Sequence, residues 1–249
     1  MKLFDAHNHI QNCRSSAEGD AALRGASEAG VEGMLVCGTC PADWGAVLEL
    51  AGRDKRVVPC FGLHPWFGPE DGWLDRLEEF LTRIPSCVGE IGLDGARPSP
   101  DQEENFLAQL ELARKLDRPV VIHCVKNWGR MLELLKENRP AVFMLHAYGG
   151  PAELVKDFAA LNGYFSFGGE ITDPARERLR AALAAVPPER LLFETDSQEP
   201  DATSWRSGPA GVVEVAAAAA SVLGRPAEEL AEASYANALA FLDRLWPAG

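Results

Sequence analysis

The sequence predicts an α/β fold of the (β/α)8 TIM-barrel type, and three observations carry that prediction. Eight short apolar runs bounded by turn residues alternate with eight longer amphipathic stretches, the pattern of successive strand–helix units around a parallel sheet. The chain has 249 residues, and barrels of this kind typically have roughly 250. An open doubly wound sheet would usually carry a glycine-rich phosphate turn after its first strand; here that position reads Asp5-Ala-His-Asn-His9.

Each element has its own warrant. Residues 2–7 form the first strand, followed by an amphipathic helix at 19–29 and a second strand at 33–38, the run Gly33-Met-Leu-Val-Cys-Gly38. The helix at 42–52 opens on Pro41-Ala-Asp43, with early proline and an acidic residue in its first turn. The strand at 57–62 leads to a helix at 72–84 and a strand at 86–91. Ser99-Pro-Asp-Gln-Glu103 starts the helix at 100–116, which precedes the strand at 119–123, the helix at 128–137 and the strand at 142–146. A helix at 151–161, a strand at 163–167, a helix at 174–185 opened by Asp173-Pro-Ala-Arg-Glu177, a strand at 190–195 and a helix at 208–223 complete the ring. Residues 226–246 read as terminal helices capping the barrel. With no Ser/Gly linker or charge block, 1–249 is expected to be a single domain.

Composition narrows the function. Lys and Arg number 24 against 37 Asp and Glu, a net charge of −13, which excludes attachment to nucleic acid or anionic membrane by bulk electrostatics. No apolar run approaches the roughly 18–20 residues of a membrane span, and the start shows no signal-peptide pattern, so a cytoplasmic protein is expected. The six cysteines are scattered, four of them in or beside apolar runs, which points to reduced core thiols. Cys37-Gly-Thr-Cys40 has redox-motif spacing, but it closes a strand instead of opening a helix.

The chemistry lies at the strand ends. The chain has five histidines, His7, His9, His64, His123 and His146, and each falls at or just beyond the carboxyl end of a predicted strand, as do Glu90 and Asp196. A barrel gathers those ends on one face, so these groups surround one cavity with the composition of a site for divalent metal. His7 and His9, two residues apart on an extended segment, reach one ion together; Asp5, at the same parity, is either a further ligand or an acceptor that orients a histidine. Asp196 is placed to act as ligand and as general base for a metal-activated water.

Asp5-Ala-His-Asn-His9, Gly62-Leu-His-Pro65, Gly89-Glu-Ile-Gly-Leu-Asp94, Pro119-Val-Val-Ile-His123, His146 with its following glycines, and Glu194-Thr-Asp-Ser197 resemble, in order, the motif set of the TatD family of metal-dependent hydrolases. Gln102, Phe106 and the pair Asn237-Ala238 agree with it. The resemblance implies a metallo-dependent-hydrolase barrel with two divalent ions (Zn, Mg or Mn). His7, His9, Glu90 and Asp196 resemble the ligands of one ion, and Glu90, His123 and His146 those of the other, with Glu90 bridging. His64 resembles a residue that contacts substrate phosphate. The activity implied is that of a DNase or phosphodiesterase acting on DNA ends or small phosphate esters, with Glu90 and Asp196 as catalytic residues; a monomer without a stable protein partner is expected.

Departures from the pattern surround the mouth. After His123 the chain reads Cys-Val-Lys-Asn, without the arginine common in the family; Lys126 could replace it, but continued strand geometry would turn it to the opposite face. Tyr148 stands where phenylalanine is usual, and Lys126 and Tyr148 join His64 as expected substrate contacts. Other cations near strand ends are Arg14, Arg130 and Arg206, while Trp44, Trp66, Trp128 and Trp205 either stack on bases or pack the loops. The competing enzymatic reading, amide or ester hydrolysis of the amidohydrolase type, often uses a modified lysine as bridge; the fourth strand here carries Glu90 instead. A non-catalytic metal-holding barrel would have no need to retain all seven polar positions.

Overall fold

Every predicted strand forms, and the strands lie parallel in chain order. The computed structural model describes residues 1–198 and 208–246. Its strands are β1 (Leu3–Asn8), β2 (Val31–Cys37), β3 (Val57–Phe61), β4 (Cys87–Asp94), β5 (Val120–Val125), β6 (Phe143–Leu145), β7 (Gly163–Phe167) and β8 (Leu191–Phe193), each hydrogen-bonded to the next. The helices are α1 (Ser16–Glu28), α2 (Trp44–Arg53), α3 (Trp73–Arg83), α4 (Gln102–Lys115), α5 (Trp128–Glu137), α6 (Val155–Ala160), α7 (Glu177–Ala185), α8 (Val212–Leu223) and α9 (Ala227–Leu242).

Where boundaries differ from the sequence expectation, local chemistry explains the shift. Helix α1 starts at Ser16 instead of 19 because Ser15 Oγ caps Glu18 N at 3.3 Å while Glu18 Oε2 accepts from Arg14 N at 2.9 Å. Strands β4 and β5 run on to Asp94 and Val125 because their polar ends stay in the ladder, Gly92 opposite His123 and Asp94 opposite Val125. Gly92 is required there: with φ at 153°, a Cβ would stand 1.9 Å from the His123 carbonyl oxygen.

Two apolar layers hold the ring. Outward residues such as Val120 and Ile122 of β5 and Phe143 and Leu145 of β6 meet the helices. Inward residues, among them Phe4, Leu35, Val58, Val121, Met144 and Leu192, fill the interior. Phe241, Leu242 and Leu245, from α9 and the turn after it, join that interior cluster and plug the end of the barrel opposite the strand carboxyl ends. Asn237 ties α9 to the ring, donating to the Pro188 and Leu191 carbonyls at 2.8 and 2.9 Å. All six cysteines are free thiols. Cys37, Cys60 and Cys87 stand opposite one another on β2, β3 and β4 in the same interior layer.

Asp5 has a role the sequence did not suggest. The β8–β1 seam is closed by Asp196 N donating to His7 O at 2.9 Å and His9 N to Ser197 O at 2.8 Å. The buried Asp5 carboxylate accepts from Thr195 N at 2.8 Å and from Thr195 Oγ1 at 2.7 Å across the same seam. It is therefore a closure residue, and the expectation that it ligates metal or orients a histidine is corrected. Among the described residues, no single helix is long and apolar enough to cross a membrane.

Candidate metal centre

All five histidines of the chain converge on one carboxylate. Glu90 Oε2 lies 3.2 Å from His7 Nε2 and 3.4 Å from His9 Nε2. Its other oxygen, Oε1, lies 2.9 Å from His123 Nδ1, 2.8 Å from His146 Nε2 and 3.3 Å from His64 Nε2. Asp196 Oδ1 completes the first group, 3.7 Å from His7 Nε2 and 3.5 Å from His9 Nε2. The carboxylate of Glu90 thus divides the cage in two, one oxygen to each side.

Strand geometry delivers these side chains in two ways. On β5 and β6 the interior positions alternate without interruption, so His123 follows Val121 and His146 follows Met144. On β1 and β4 the inward residues are Phe4 and Ala6, and Cys87, so His7 and Glu90 are out of phase with them. The ladder slips between Asp5 and Asn8, and again between Val88 and Ile91. Such irregularities re-aim a side chain, and here each falls at the residue that enters the cage.

The polar contacts on the outer sides of the rings fix which nitrogen faces the centre. His9 Nδ1 donates to the Cys37 carbonyl at 2.7 Å, leaving the Nε2 lone pair for the cage. His123 Nε2 faces Asp94 Oδ2 at 3.3 Å and His146 Nδ1 faces Glu194 Oε1 at 3.5 Å, which leaves His123 Nδ1 and His146 Nε2, 3.3 Å apart, pointing inward. His7 Nδ1 lies 3.3 Å from Cys37 Sγ. His64 is built the other way: its Nδ1 accepts from Trp66 N at 3.1 Å, so a neutral ring carries its proton on Nε2 and donates it to Glu90. Four imidazoles thus offer lone pairs to the cage and the fifth offers a proton.

This donor set fits divalent metal. Ligand atoms about 2.0–2.1 Å from a zinc ion stand roughly 2.9–3.4 Å from one another. The separations of His7 Nε2, His9 Nε2 and Glu90 Oε2 are 3.1, 3.2 and 3.4 Å. Among the described residues Glu90 has no lysine or arginine partner, and a buried charge of that kind is paired or coordinates metal. Electrostatics agree: burial would raise the Glu90 carboxyl, yet the surrounding imidazoles hold it well below the carboxylate range. Burial alone would lower His9, but Glu90 and Asp196 hold it up at about 9, while burial and the neighbouring His146 push His7 down to about 4.

The TatD related DNase family model matches residues 4–243. The chain is 32% identical over 254 residues to the 3′-5′ ssDNA/RNA exonuclease TatD of Klebsiella pneumoniae, covering 94% of this chain and 95% of that protein. It is 29% identical over 248 residues to YjjV, an uncharacterized metal-dependent hydrolase of Escherichia coli K12, covering 95% and 96%. The crystal structure of YjjV superposes with a TM-score of 0.86 at 28% identity, covering 99% of this chain and 98% of that one.

The chain belongs to the TatD related DNase family. It is a metal-dependent hydrolase, an enzyme acting on ester bonds.

Within this TatD-family site two carboxylates escaped the sequence reading of the histidines. Asp94 and Glu194 stand behind His123 and His146, and each is itself held: Asp94 by Trp66 Nε1 at 2.6 Å and Ala96 N at 2.7 Å, Glu194 by Ala147 N at 2.7 Å and by Ser166 Oγ. Asp94 ends and Glu194 opens a motif that the sequence already singled out, so an acidic residue following an apolar run was the available signal. Gln102, at the start of α4, fastens the same region by accepting from Asp94 N at 2.9 Å and donating to the Pro65 carbonyl at 3.1 Å.

Several expected mouth residues lie elsewhere. Tyr148 is not a substrate contact: its ring is fully buried against Trp128 and Phe165, and its hydroxyl donates to the Pro151 carbonyl at 2.8 Å. Trp44 is a core residue bonded to the Gly62 carbonyl at 3.0 Å. Arg130 is bound on the helix surface to Glu103 and Glu133. Lys126 is exposed just past β5 with a left-handed φ of 58°, so the strand alternation used to orient its side chain stops at Val125. Trp205 and Arg206 lie outside the described residues.

Proposed function

We propose that this hydrolase cleaves phosphodiester bonds at the ends of single-stranded nucleic acid, using a pair of divalent ions. The observation that carries the proposal is the division of Glu90, one oxygen facing His7 and His9 and the other facing His123 and His146. Relatives at about 30% identity named as 3′-5′ ssDNA/RNA exonucleases support the choice of substrate.

When bound, two such ions would acidify a water and neutralise charge developing on the phosphoryl group. His7, His9 and Asp196 would hold one, His123 and His146 the other, with Glu90 shared. Asp196 is the cage carboxylate nearest solvent, its side chain 22% exposed against 3% for Glu90. It therefore takes the proton from the attacking water, as general base. His64 holds its Nε2 proton toward the cage and lends it to substrate oxygen, while Lys126 adds positive charge at the rim.

The test compares wild type with Asp196→Asn on bis(p-nitrophenyl) phosphate and on a labelled single-stranded oligonucleotide, with Mg²⁺, Mn²⁺ or Zn²⁺ added. The variant should lose roughly 10²–10⁴-fold in kcat, the range of a general base, with an unchanged far-UV circular dichroism spectrum. Equal rates for the two proteins would overturn the assignment.

A further inference from the structure

The loop after β3 carries an aromatic wall beside the cage. His64, Trp66 and Phe67 follow one another in a tight turn closed by Phe67 N donating to the His64 carbonyl at 3.0 Å. The His64 ring lies 4.7 Å from that of Trp66 and 6.3 Å from that of Phe67, and the same His64 reaches Glu90 at 3.3 Å.

The two outer rings differ in what they offer. Trp66 is clamped: its Nε1 donates to Asp94 at 2.6 Å and the Arg97 guanidinium covers its face at 3.8 Å. Phe67 is 37% exposed. The other exposed large apolar residues among those described, Met1, Leu239 and Trp246, belong to the start of the chain and to α9 and its end, at the plugged side of the barrel. Phe67 is thus an apolar ring held by a rigid turn at the catalytic mouth, one neighbour removed from a histidine of the cage.

Resting on the nuclease reading above, we infer that Phe67 is the stacking face for the base of the terminal nucleotide, carried on the turn that the clamped Trp66 anchors. A terminal base in a duplex is held by its complement and its stacked neighbour, whereas an unpaired terminal base is free to turn onto an exposed ring. Such stacking is sequence-tolerant, because every base has a π-face. It would make Phe67 a specificity residue that separates single-stranded polynucleotides from small phosphate esters lacking a base. Trp66, one of the tryptophans considered for stacking, acts by positioning its neighbour.

The experiment measures kcat/KM for two single-stranded oligonucleotides that differ only at the 3′ end, one closing on a normal nucleotide and one on an abasic tetrahydrofuran residue. Wild type should prefer the base-bearing end by roughly 5- to 100-fold, the range of one base–aromatic stack, with the difference in KM. Phe67→Ala should bring that ratio close to one, and Phe67→Trp should keep it. A ratio that Phe67→Ala leaves at the wild-type value overturns the inference alone, including the case in which both rates fall together through a structural defect. Wild type that hydrolyses bis(p-nitrophenyl) phosphate but neither oligonucleotide overturns the nuclease reading, and this inference with it.

Discussion

His123 and His146 reach the cage on strands that keep their alternation, whereas His7 and Glu90 reach it on strands whose register slips at the critical residue. The two halves differ again in what stands behind the rings. Carboxylates, Asp94 and Glu194, back His123 and His146; a carbonyl backs His9 and a thiol backs His7. A carboxylate beside the outer nitrogen of an imidazole raises its basicity and fixes its orientation, so the rings on β5 and β6 are the better-oriented donors, while the His7–His9 half has Asp196 as an additional carboxylate.

The largest effect should come from the residue both halves share. Glu90→Gln should abolish turnover, a loss at least as great as the roughly 10²–10⁴-fold of a general base, and remove both metal-binding events in calorimetry. A variant that keeps one event intact would show that the halves are independent. Next come Asp94→Asn and Glu194→Gln, each expected to cost about 10–100-fold in metal affinity, confined to the event that involves His123 and His146. The same loss on the event that involves His7 and His9 would invert the comparison.

Acid should weaken both halves. His9 is held up at about 9, and His123 and His146 are raised by their carboxylate partners, so protons compete with metal for these rings. A raised value means that protons compete below it and cease to compete above it, so apparent metal affinity should fall by about tenfold or more per unit as pH drops from 8 to 6. His7, pushed down to about 4, adds nothing in that window. Titration of metal at three pH values checks this; a flat profile would contradict it. Cys37→Ser should be the mildest change, a shift of less than about tenfold in the event that involves His7 and His9, because it exchanges a thiol for a hydroxyl beside His7 Nδ1 and removes no ligand.

Much of this arrangement was legible in the chain. The ring order followed from runs and periods, and the meeting of His123 and His146 followed from their place at the carboxyl ends of predicted strands. The parity of His7 and Glu90 did not follow, because a register slip leaves no mark in the hydrophobic pattern; nor did the turning of Asp5 to the seam. Tyr148 was misplaced because an aromatic beside a glycine pair reads the same whether it lines a mouth or packs beneath it. Phe67 carries no signal in the sequence, since exposure of a single phenylalanine is decided by the turn that carries it.

The ring of strands has one unlaced edge, between β8 and β1, where the side chain of Asp5 and two backbone bonds stand in for a ladder. His7 and His9 lie on one lip of that edge and Asp196 on the other. An ion gripped by all three is therefore also a clasp. Emptying the cage with a chelator should let the lips breathe, quickening amide hydrogen exchange along Leu3–Asn8 and Leu191–Phe193 before the rest of the wall responds.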